Sequence, residues 1–272
     1  CAPTVTSDVA TRQRVRVHDE PAFVLHRHDW SESSLILELF TRHHGRVVLV
    51  GKGVKRPTSQ FRAVLLPLVP LRVDWSGEAE VRTLKAAQYA GGHVMPAGDA
   101  LLAGYYLNEL MLRLMARDDP HPALFDPYAA AVQALARGAD VAVTLRAFEL
   151  LLLCQLGWLP HLAQEGLRLL PLAAAQSYRL LSEAGLQPSG PDDAGSLPGA
   201  HWQAVQAALD APDPWSALWA QAPTLSTAAM RVGLAGLLHY HSGVRSFRTR
   251  ELMRALRRIG PRPAPPLNDP SP

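Results

Sequence analysis

The stretch FTRHHGRVVLVGKGVKR, residues 40–56, combines a polar turn, an apolar strand and a pair of closely spaced glycines. Gly45 ends the turn and is suited to the positive φ that tight hairpin turns require. Val47–Val50 is rich in β-branched residues, which fit a pleated strand. Gly51 and Gly53 then indicate a bulge or a close approach of the backbone. The stretch therefore predicts a strand that follows a hairpin turn and ends in an irregular loop.

Four further segments on either side of this stretch are predicted to be strands: 22–28, 34–41, 63–75 and 80–87. Pro67 and Pro70 interrupt the third of these segments, and the last one departs from strict alternation. Five strands between residues 21 and 87, with no long helix between them, predict a small closed or partly closed barrel.

The hydrophobic period changes from two to about 3.6 after residue 98, which predicts helices. We expect them at 98–116, 120–137, 141–156, 200–209, 215–221, 225–240 and 246–259. Repeated Pro, Gly and Asp predict loops over 160–200, around one short helical piece near 172–184. Cys154, at the end of a very apolar helix, is expected to be a buried core residue.

Charge is distributed unevenly along the 272 residues, although the net charge is only +3. Residues 1–90 carry 13 Lys and Arg against 9 Asp and Glu, and residues 241–272 carry 7 against 2. Residues 91–240 are acidic, with 7 cations against 13 acids. The basic ends predict a surface that binds a polyanion, and the acidic middle predicts a different role.

Cysteine content and hydropathy exclude several classes of protein. Two cysteines, Cys1 and Cys154, cannot form a four-cysteine zinc site or a disulfide framework, and they suit a reducing cytoplasm. No apolar run approaches the roughly 20 residues of a membrane span, so we expect no membrane association. We expect Cys1 to reflect how the start of the chain was assigned rather than a processed lipoprotein.

The histidines and cations of residues 40–56 could belong to a metal site, a phosphate loop or a polyanion-binding edge. His43 and His44 would point to opposite faces of a strand. His26 and His28 have the spacing that places both on one face, but a metal would need ligands from elsewhere in the chain. The glycines lack the spacing and the Lys-Ser/Thr pair of a P-loop. We therefore favour the polyanion interpretation and expect neither a metal nor a cofactor.

The polyanion interpretation depends on a dense group of cations with no acid between residues 39 and 73. Such a group can neutralise several phosphates and release their counterions. The six candidate contacts are Arg42, Arg46, Lys52, Lys55, Arg56 and Arg62. Four aromatic residues could stack on bases or fill the core, and for Phe23 and Phe40 we favour the core. The other two are Trp30 and Phe61.

Motifs along most of the chain resemble those of the RecO family of bacterial recombination mediators. In the predicted barrel they are AFVLH (22–26), WSESSL (30–35), FT (40–41), GRV (45–47), GKG (51–53), LPLVPL (66–71), WSG (75–77) and TL (83–84). In the predicted helices they are GYYLNEL (104–110), HPALF (121–125), LRAFEL (145–150), LGWLP (156–160) and SFRTREL (246–252). Their order and spacing make the likeness specific over about 20–258, with a weak gap at 161–225.

This resemblance implies an α+β, multi-domain fold, with a five-stranded OB-fold barrel followed by an all-α domain. We expect an N-terminal extension at 1–20, the OB-fold at 21–90, the helical domain at 91–260 and a proline-rich disordered tail at 261–272. Many relatives carry a four-cysteine zinc module after the Gly-Trp-Leu-Pro segment. Residues 161–190 contain no cysteine, so 161–200 is expected to be an irregular insert without zinc ligands.

The resemblance also implies a function and partners. Members of the family bind single- and double-stranded DNA, anneal complementary strands and act with RecR. Together they help to load RecA onto DNA coated by single-stranded-DNA-binding protein (SSB). The resemblance implies no bond-making activity and a cytoplasmic, nucleoid-associated location. The basic terminal helix could add DNA contacts through Arg248, Arg250 and Arg254, or those residues could form a solvated helix face.

The resemblance places the contact with the acidic, apolar C-terminal tail of SSB at Arg146, the arginine of the Leu-Arg-x-Phe-Glu motif. A lone cation in an apolar helix could pair with a terminal carboxylate. The alternative is an internal ion pair with Glu149 at i+3. Two other functions remain open: an adaptor whose basic patches dock proteins, and a nuclease. Asp118, Asp119 and Asp126 could serve a nuclease, but helix capping explains them.

Overall fold

The computed structural model describes residues 15–92, 94–190 and 193–259, without the side chains of 257–259. These residues divide into two compact units. The barrel unit contains 15–92 and 116–120, and the helical unit contains 94–115 and 121–259. Only the end of the expected extension at 1–20 is described, and there the first strand already begins at residue 16. The expected tail at 261–272 lies outside the described residues.

Five strands close into a barrel in the order β1-β2-β3-β5-β4, which confirms the predicted five-stranded fold. They are β1 (Arg16–Asp29), β2 (Leu35–Thr41), β3 (Gly45–Gly51), β4 (Pro70–Ser76) and β5 (Val81–Tyr89). The long strand β1 closes the barrel because it pairs with two neighbours. Its first half pairs with β4 and its second half with β2, and Phe23 is paired with both Pro70 and Phe40. Among the pairings of these five strands, that of β3 with β5 is parallel and the other four are antiparallel.

The fourth strand is shorter than predicted. Residues 52–69, the β3–β4 loop, contain a 3-10 helix at Gln60–Ala63, and β4 begins only at Pro70. Leu68 adopts a φ of +65°, and Pro67 lacks the N–H that a ladder needs. The backbone of this segment therefore cannot extend β4 toward residue 63, and it forms an ordered loop instead.

The barrel interior follows the period of two that strands impose. Alternate side chains of adjacent strands point inward, and most of them are at most 2% exposed. Among them are Val24, Leu37, Leu39, Val47, Leu49, Val73 and Trp75. The opposite faces of the same strands are mixed: Phe23, Phe40 and Val48 are buried there, whereas Arg72 and Lys85 are exposed. Val47, Leu49 and Val54 of the opening stretch thus belong to the barrel core, and its cations lie on the outside or in the loops.

Residues 116–120 belong to the barrel unit although helices flank them in sequence. The Asp118 N–H donates a hydrogen bond to the Arg46 carbonyl at 2.8 Å, and Arg117 forms a parallel bridge with Arg46. A Cβ on Gly45, whose φ is +67°, would lie 2.0 Å from the Asp119 carbonyl oxygen. Gly45 is therefore required both for its left-handed backbone and for this close approach.

The helical unit contains eight helices among the described residues. They are α1 (Gly98–Leu114), α2 (Pro122–Ala136), α3 (Val141–Gln155), α4 (Gly199–Leu209), α5 (Pro214–Trp219), α6 (Ala222–Leu225), α7 (Ala228–Ser242) and α8 (Arg248–Ile259). α3 is central, because each residue from Val143 to Leu153 is buried. Cys154 follows this run and is exposed. The expectation that Cys154 is a core residue is therefore wrong, because the enclosed part of α3 ends one residue earlier.

The expectation of a short helix near 172–184 is also wrong. This region forms a three-stranded antiparallel sheet of β6 (Ser177–Leu181), β7 (Gly185–Pro188) and β8 (Ser196–Pro198). Tyr178 and Leu180 are buried while the residues after each of them are exposed, which is the period of a strand. Gly185, with a φ of +65°, makes the turn into β7. The expected irregular insert thus contains a small sheet.

Replacing Gly45 by alanine is expected to destabilise the barrel unit more than the same change at Gly53. Both glycines have a φ near +70°, so each substitution introduces a left-handed alanine at about 1–2 kcal/mol. A Cβ at Gly53 meets nothing nearer than 3.7 Å, whereas the one at Gly45 collides with backbone. Urea unfolding should show a decrease in stability for Gly45→Ala at least about 1 kcal/mol larger. Equal decreases would mean that residues 116–120 do not approach Gly45.

Candidate nucleic-acid interface

The fold separates the six candidate DNA contacts into two groups at opposite ends of β3. This strand has seven residues, which span about 20 Å. Arg42 and Arg46 lie at its N-terminal end. The other four lie in the β3–β4 loop, beyond its C-terminal end: Lys52, Lys55, Arg56 and Arg62. The sequence cluster therefore becomes a group of four cations on one loop, with two more at a distance.

Arg46 is held in an internal ion-pair network of the barrel unit. Its side chain is 14% exposed and lies 3.3 Å from the Glu38 carboxylate. The other oxygen of Glu38 accepts a hydrogen bond from Arg117 at 2.6 Å, and Arg117 also binds Glu80. Burial lowers the pKa of the Arg46 guanidinium, although Glu38 opposes that change. Arg46 is therefore less available to a phosphate than its position in the sequence indicates.

Carboxylates from other parts of the barrel also approach the turn before β3. The His43 backbone N–H donates to Glu20 at 2.7 Å, and the His43 ring lies 2.9 Å from the second Glu20 oxygen. The Arg42 N–H donates to the Pro21 carbonyl at 3.1 Å, and the Arg42 side chain is half-buried. The acid-free run in the sequence is thus not acid-free in space at this end of β3.

The β3–β4 loop exposes cations that take part in no comparable network within the part of the chain that the structure describes. Lys52, Arg56 and Arg62 are exposed. Lys55 is more constrained, because its ammonium group donates to Asp29 at 3.0 Å and to the Ser31 carbonyl at 2.9 Å. These two bonds tie the β3–β4 loop to the end of β1 and the turn that follows it. The loop therefore has a defined position, from which three cations reach solvent.

A cavity of about 460 Å³, the barrel groove, opens beside this loop. Its lining comes from the end of β1, the start of β2 and the β3–β4 loop, and consists of Arg27, Asp29, Leu35, Val54, Lys55, Phe61, Arg62 and Leu65. Sequence reasoning did not identify Arg27 as a candidate contact. It follows a buried strand segment, and nothing in the sequence distinguishes it from other exposed residues. Its guanidinium donates to the Leu65 carbonyl at 3.1 Å, which places it on the groove.

The four aromatic residues have different environments in the structure. Phe23 and Phe40 are 3% and 0% exposed, which makes them core residues, as favoured from the sequence. Trp30 is 66% exposed in the turn between β1 and β2. Phe61 is half-buried and lines the barrel groove. Two of the four aromatic rings are thus available for stacking.

In the helical unit, Arg146 takes part in a buried cluster around Glu149. The Arg146 side chain is 6% exposed, and its guanidinium lies 2.5 Å from the fully buried Glu149 carboxylate. The same carboxylate oxygen accepts hydrogen bonds from Tyr106 and Arg250, both at 2.8 Å. Burial and the adjacent Glu149 raise the pKa of Tyr106 well above its usual value. The internal ion pair is therefore present, and the role of Arg146 in binding SSB stays a prediction.

The basic helix α8 is attached to the helical unit by its first turn. Phe247, just before the helix, is fully buried and packs edge-to-face on Tyr106, with ring centres 5.6 Å apart. The Glu109 carboxylate accepts hydrogen bonds from the backbone N–H groups of Arg248 and Thr249. A carboxylate at this position satisfies donors that a helix start leaves free.

The three arginines predicted as additional DNA contacts on α8 are not equivalent. The Arg250 side chain is only 15% exposed and lies over the Tyr106 ring at 4.6 Å while it binds Glu149. Arg248 and Arg254 are exposed. The geometry thus favours a structural role for Arg250 and leaves the other two accessible to a ligand.

The paired histidines of β1 do lie together, with the His26 and His28 ring centres 4.3 Å apart. Burial and the neighbouring His28 lower the pKa of His26. Across the described residues, no three His, Cys, Asp or Glu side chains gather as metal ligands would. No described helix has both the length and the apolar character needed to cross a membrane.

Comparison with known families gives two consecutive matches. Residues 15–92 match the family described as "Recombination protein O N terminal", and residues 95–178 match "Recombination protein O C terminal". The chain is 56% identical over 246 residues to "DNA repair protein RecO" of Polaromonas naphthalenivorans, covering 90% of this chain and 98% of that protein. It is 55% identical over 253 residues to the protein of the same name from Variovorax paradoxus, with the same coverage.

Arg250→Ala is expected to lower the free energy of unfolding by about 2–4 kcal/mol, because it leaves the buried Glu149 carboxylate with one cation instead of two. Arg254→Ala, on the exposed part of the same helix, should change it by less than about 0.5 kcal/mol. Urea unfolding of both variants checks this difference. A decrease for Arg250→Ala no larger than that for Arg254→Ala would contradict the role assigned to the Glu149 cluster.

Proposed function

This chain belongs to the RecO family of DNA repair proteins, and we propose that it binds single- and double-stranded DNA and anneals complementary strands. In this proposal it also acts with RecR to help load RecA onto SSB-coated DNA. The observation that carries the proposal is the group of exposed cations on the β3–β4 loop beside the barrel groove. The family supports a role in DNA repair. DNA binding and annealing are inferred from the charges, and the partners RecR, RecA and SSB from the family resemblance.

Lys52, Arg56 and Arg62 supply the electrostatic part of this function. Cations that replace the counterions of a phosphate backbone release those ions, and this makes binding strongly dependent on salt. Neutralising the phosphates of two strands lowers their mutual repulsion, so that complementary bases can meet. This step makes and breaks no covalent bond. We therefore propose that the protein acts by binding and not as an enzyme.

The helical unit is the proposed docking site for proteins, with Arg146 as the contact for the SSB tail. In support, the Arg146 Nε is buried and has no hydrogen-bond acceptor among the described residues. A carboxylate that reached this nitrogen would satisfy a donor that costs about 1–3 kcal/mol when left unpaired. It would also share the guanidinium with Glu149, so the pocket would bind its ligand by rearranging the buried cluster.

Replacing Lys52, Arg56 and Arg62 by glutamine should weaken binding to a single-stranded oligonucleotide and reduce its salt dependence. Removing one phosphate-binding cation should lower the slope of log K against log salt by about 0.7–1. Titrations at several salt concentrations measure both effects. Lys85→Gln, an exposed cation on β5 outside the groove lining, is the matched control and should leave the slope unchanged.

An unchanged slope in the triple variant would place the DNA-binding cations elsewhere. No oligonucleotide binding by the wild-type protein, together with strong binding of an acidic protein, would favour the adaptor function instead.

Arg146→Ala should reduce binding of a fluorescent peptide with the acidic, apolar SSB tail sequence by about tenfold or more, because it removes a charge-assisted hydrogen bond to a carboxylate. Fluorescence anisotropy measures the affinity, and circular dichroism checks that the variant is folded. Arg137→Ala, an exposed arginine after α2, serves as the control. Equal affinities for Arg146→Ala and Arg137→Ala would show that the tail binds elsewhere.

A further inference from the structure

We propose that the barrel groove is a pocket for one unpaired nucleotide of a DNA strand, with Phe61 stacking on the base and Arg27 and Arg62 holding the flanking phosphates. The pocket rests on the proposed DNA-binding function and adds to it a preference for exposed bases. It predicts that part of the binding energy comes from bases and not from phosphates.

The size and lining of the groove suit a nucleotide. Its volume of about 460 Å³ lies within the range of about 300–1,000 Å³ that small-molecule sites occupy. Val54 and Leu65, which are 2% and 1% exposed, form an apolar floor, and half-buried Leu35 adds to it. The half-buried Phe61 ring forms a wall against which a planar base can stack.

The rim of the groove carries the charges that a phosphate needs. Arg27 uses one guanidinium nitrogen for the Leu65 carbonyl, which fixes the side chain at the edge of the groove. Arg62 is exposed in the 3-10 helix that also carries Phe61. Asp29 is the only acid of the lining, and Lys55 neutralises it at 3.0 Å. The net charge at the rim is therefore positive, which favours binding of an anion.

The geometry of the lining favours an unpaired base over a duplex. Bases inside a duplex are stacked on each other, so their faces cannot reach an aromatic wall recessed in a groove. A single strand can place one base in the groove while its phosphates remain on the cationic loop. Trp30, exposed in the neighbouring turn, offers a second ring for the next base.

The decisive experiment compares two oligonucleotides of equal length and charge, one of thymidine and one of abasic residues. The full-length protein should bind the thymidine oligonucleotide at least about fivefold more tightly, since one stacked base contributes about 1–3 kcal/mol. Phe61→Leu keeps an apolar side chain against the core and should lower this ratio to what stacking on Trp30 alone provides, with the affinity for the abasic strand unchanged. Arg62→Gln should weaken binding of both strands.

Two control variants sharpen this result. Tyr89→Leu, which removes an aromatic side chain that is 45% exposed on β5 of the same barrel, should leave the ratio as it is in the wild type. Phe61→Trp should preserve the ratio, because tryptophan also presents a flat ring. A thymidine preference that is undiminished in folded Phe61→Leu would overturn the pocket.

A further measurement needs no variant. Ultraviolet cross-linking of the wild-type protein to an oligonucleotide with 5-bromodeoxyuridine should modify peptides that contain Phe61 or Trp30. Cross-links confined to other peptides would overturn the proposal even if Phe61→Leu did not fold. Thymidine 5′-monophosphate is the probe for a free nucleotide, and full competition by it at equal nucleotide concentration would assign the groove to free nucleotides and overturn the strand pocket.

The outcomes separate this proposal from the general function. If neither the thymidine nor the abasic oligonucleotide binds, the DNA-binding function itself fails. If both bind with equal affinity to the wild type, the cationic loop binds phosphates and the nucleotide pocket alone is wrong.

Discussion

The sharing of β1 between two neighbours is the constraint on which the barrel unit depends. A strand edge presents unpaired N–H and C=O groups, and closing the sheet removes the edges. β1 achieves this because its first half pairs with β4 and its second half with β2. The same closure brings the end of β1, the start of β2 and the β3–β4 loop to one rim. The barrel groove and its cations are therefore a consequence of how the sheet closes.

Both units pair a buried carboxylate with two arginines. In the barrel, Glu38 binds both Arg46 and Arg117, and in the helical unit, Glu149 binds both Arg146 and Arg250. Two guanidinium partners offset the charge of a buried carboxylate more fully than one would. Each network also removes arginines from the set that can meet a ligand. Counting cations in a basic segment therefore overestimates how many of them DNA can reach.

Local sequence patterns predicted most helices and strands correctly, and they failed for short segments. The alternation in residues 34–50 and the helical period of α1 and α3 led to the right elements, because each pattern extends over several turns or pairs. Residues 172–184 were misjudged, because a five-residue strand is too short for its period to stand out among Pro and Gly. Cys154 was misjudged because the end of a buried helix cannot be located from hydrophobicity alone.

The sequence by itself determined the five-stranded barrel, the long helices that follow it and a basic segment with no acid nearby in the chain. These features are local, since they depend on periodicity, turn residues and composition. Only the tertiary structure decided which cations are available. It placed Glu38 against Arg46 and Glu149 against Arg250, and it brought Arg27 from β1 to the groove beside Phe61. Glu149 and Arg250 are far apart in the chain, and Glu38 and Arg46 meet because β2 pairs with β3. The energies of these contacts depend on burial and distance, which no local pattern contains.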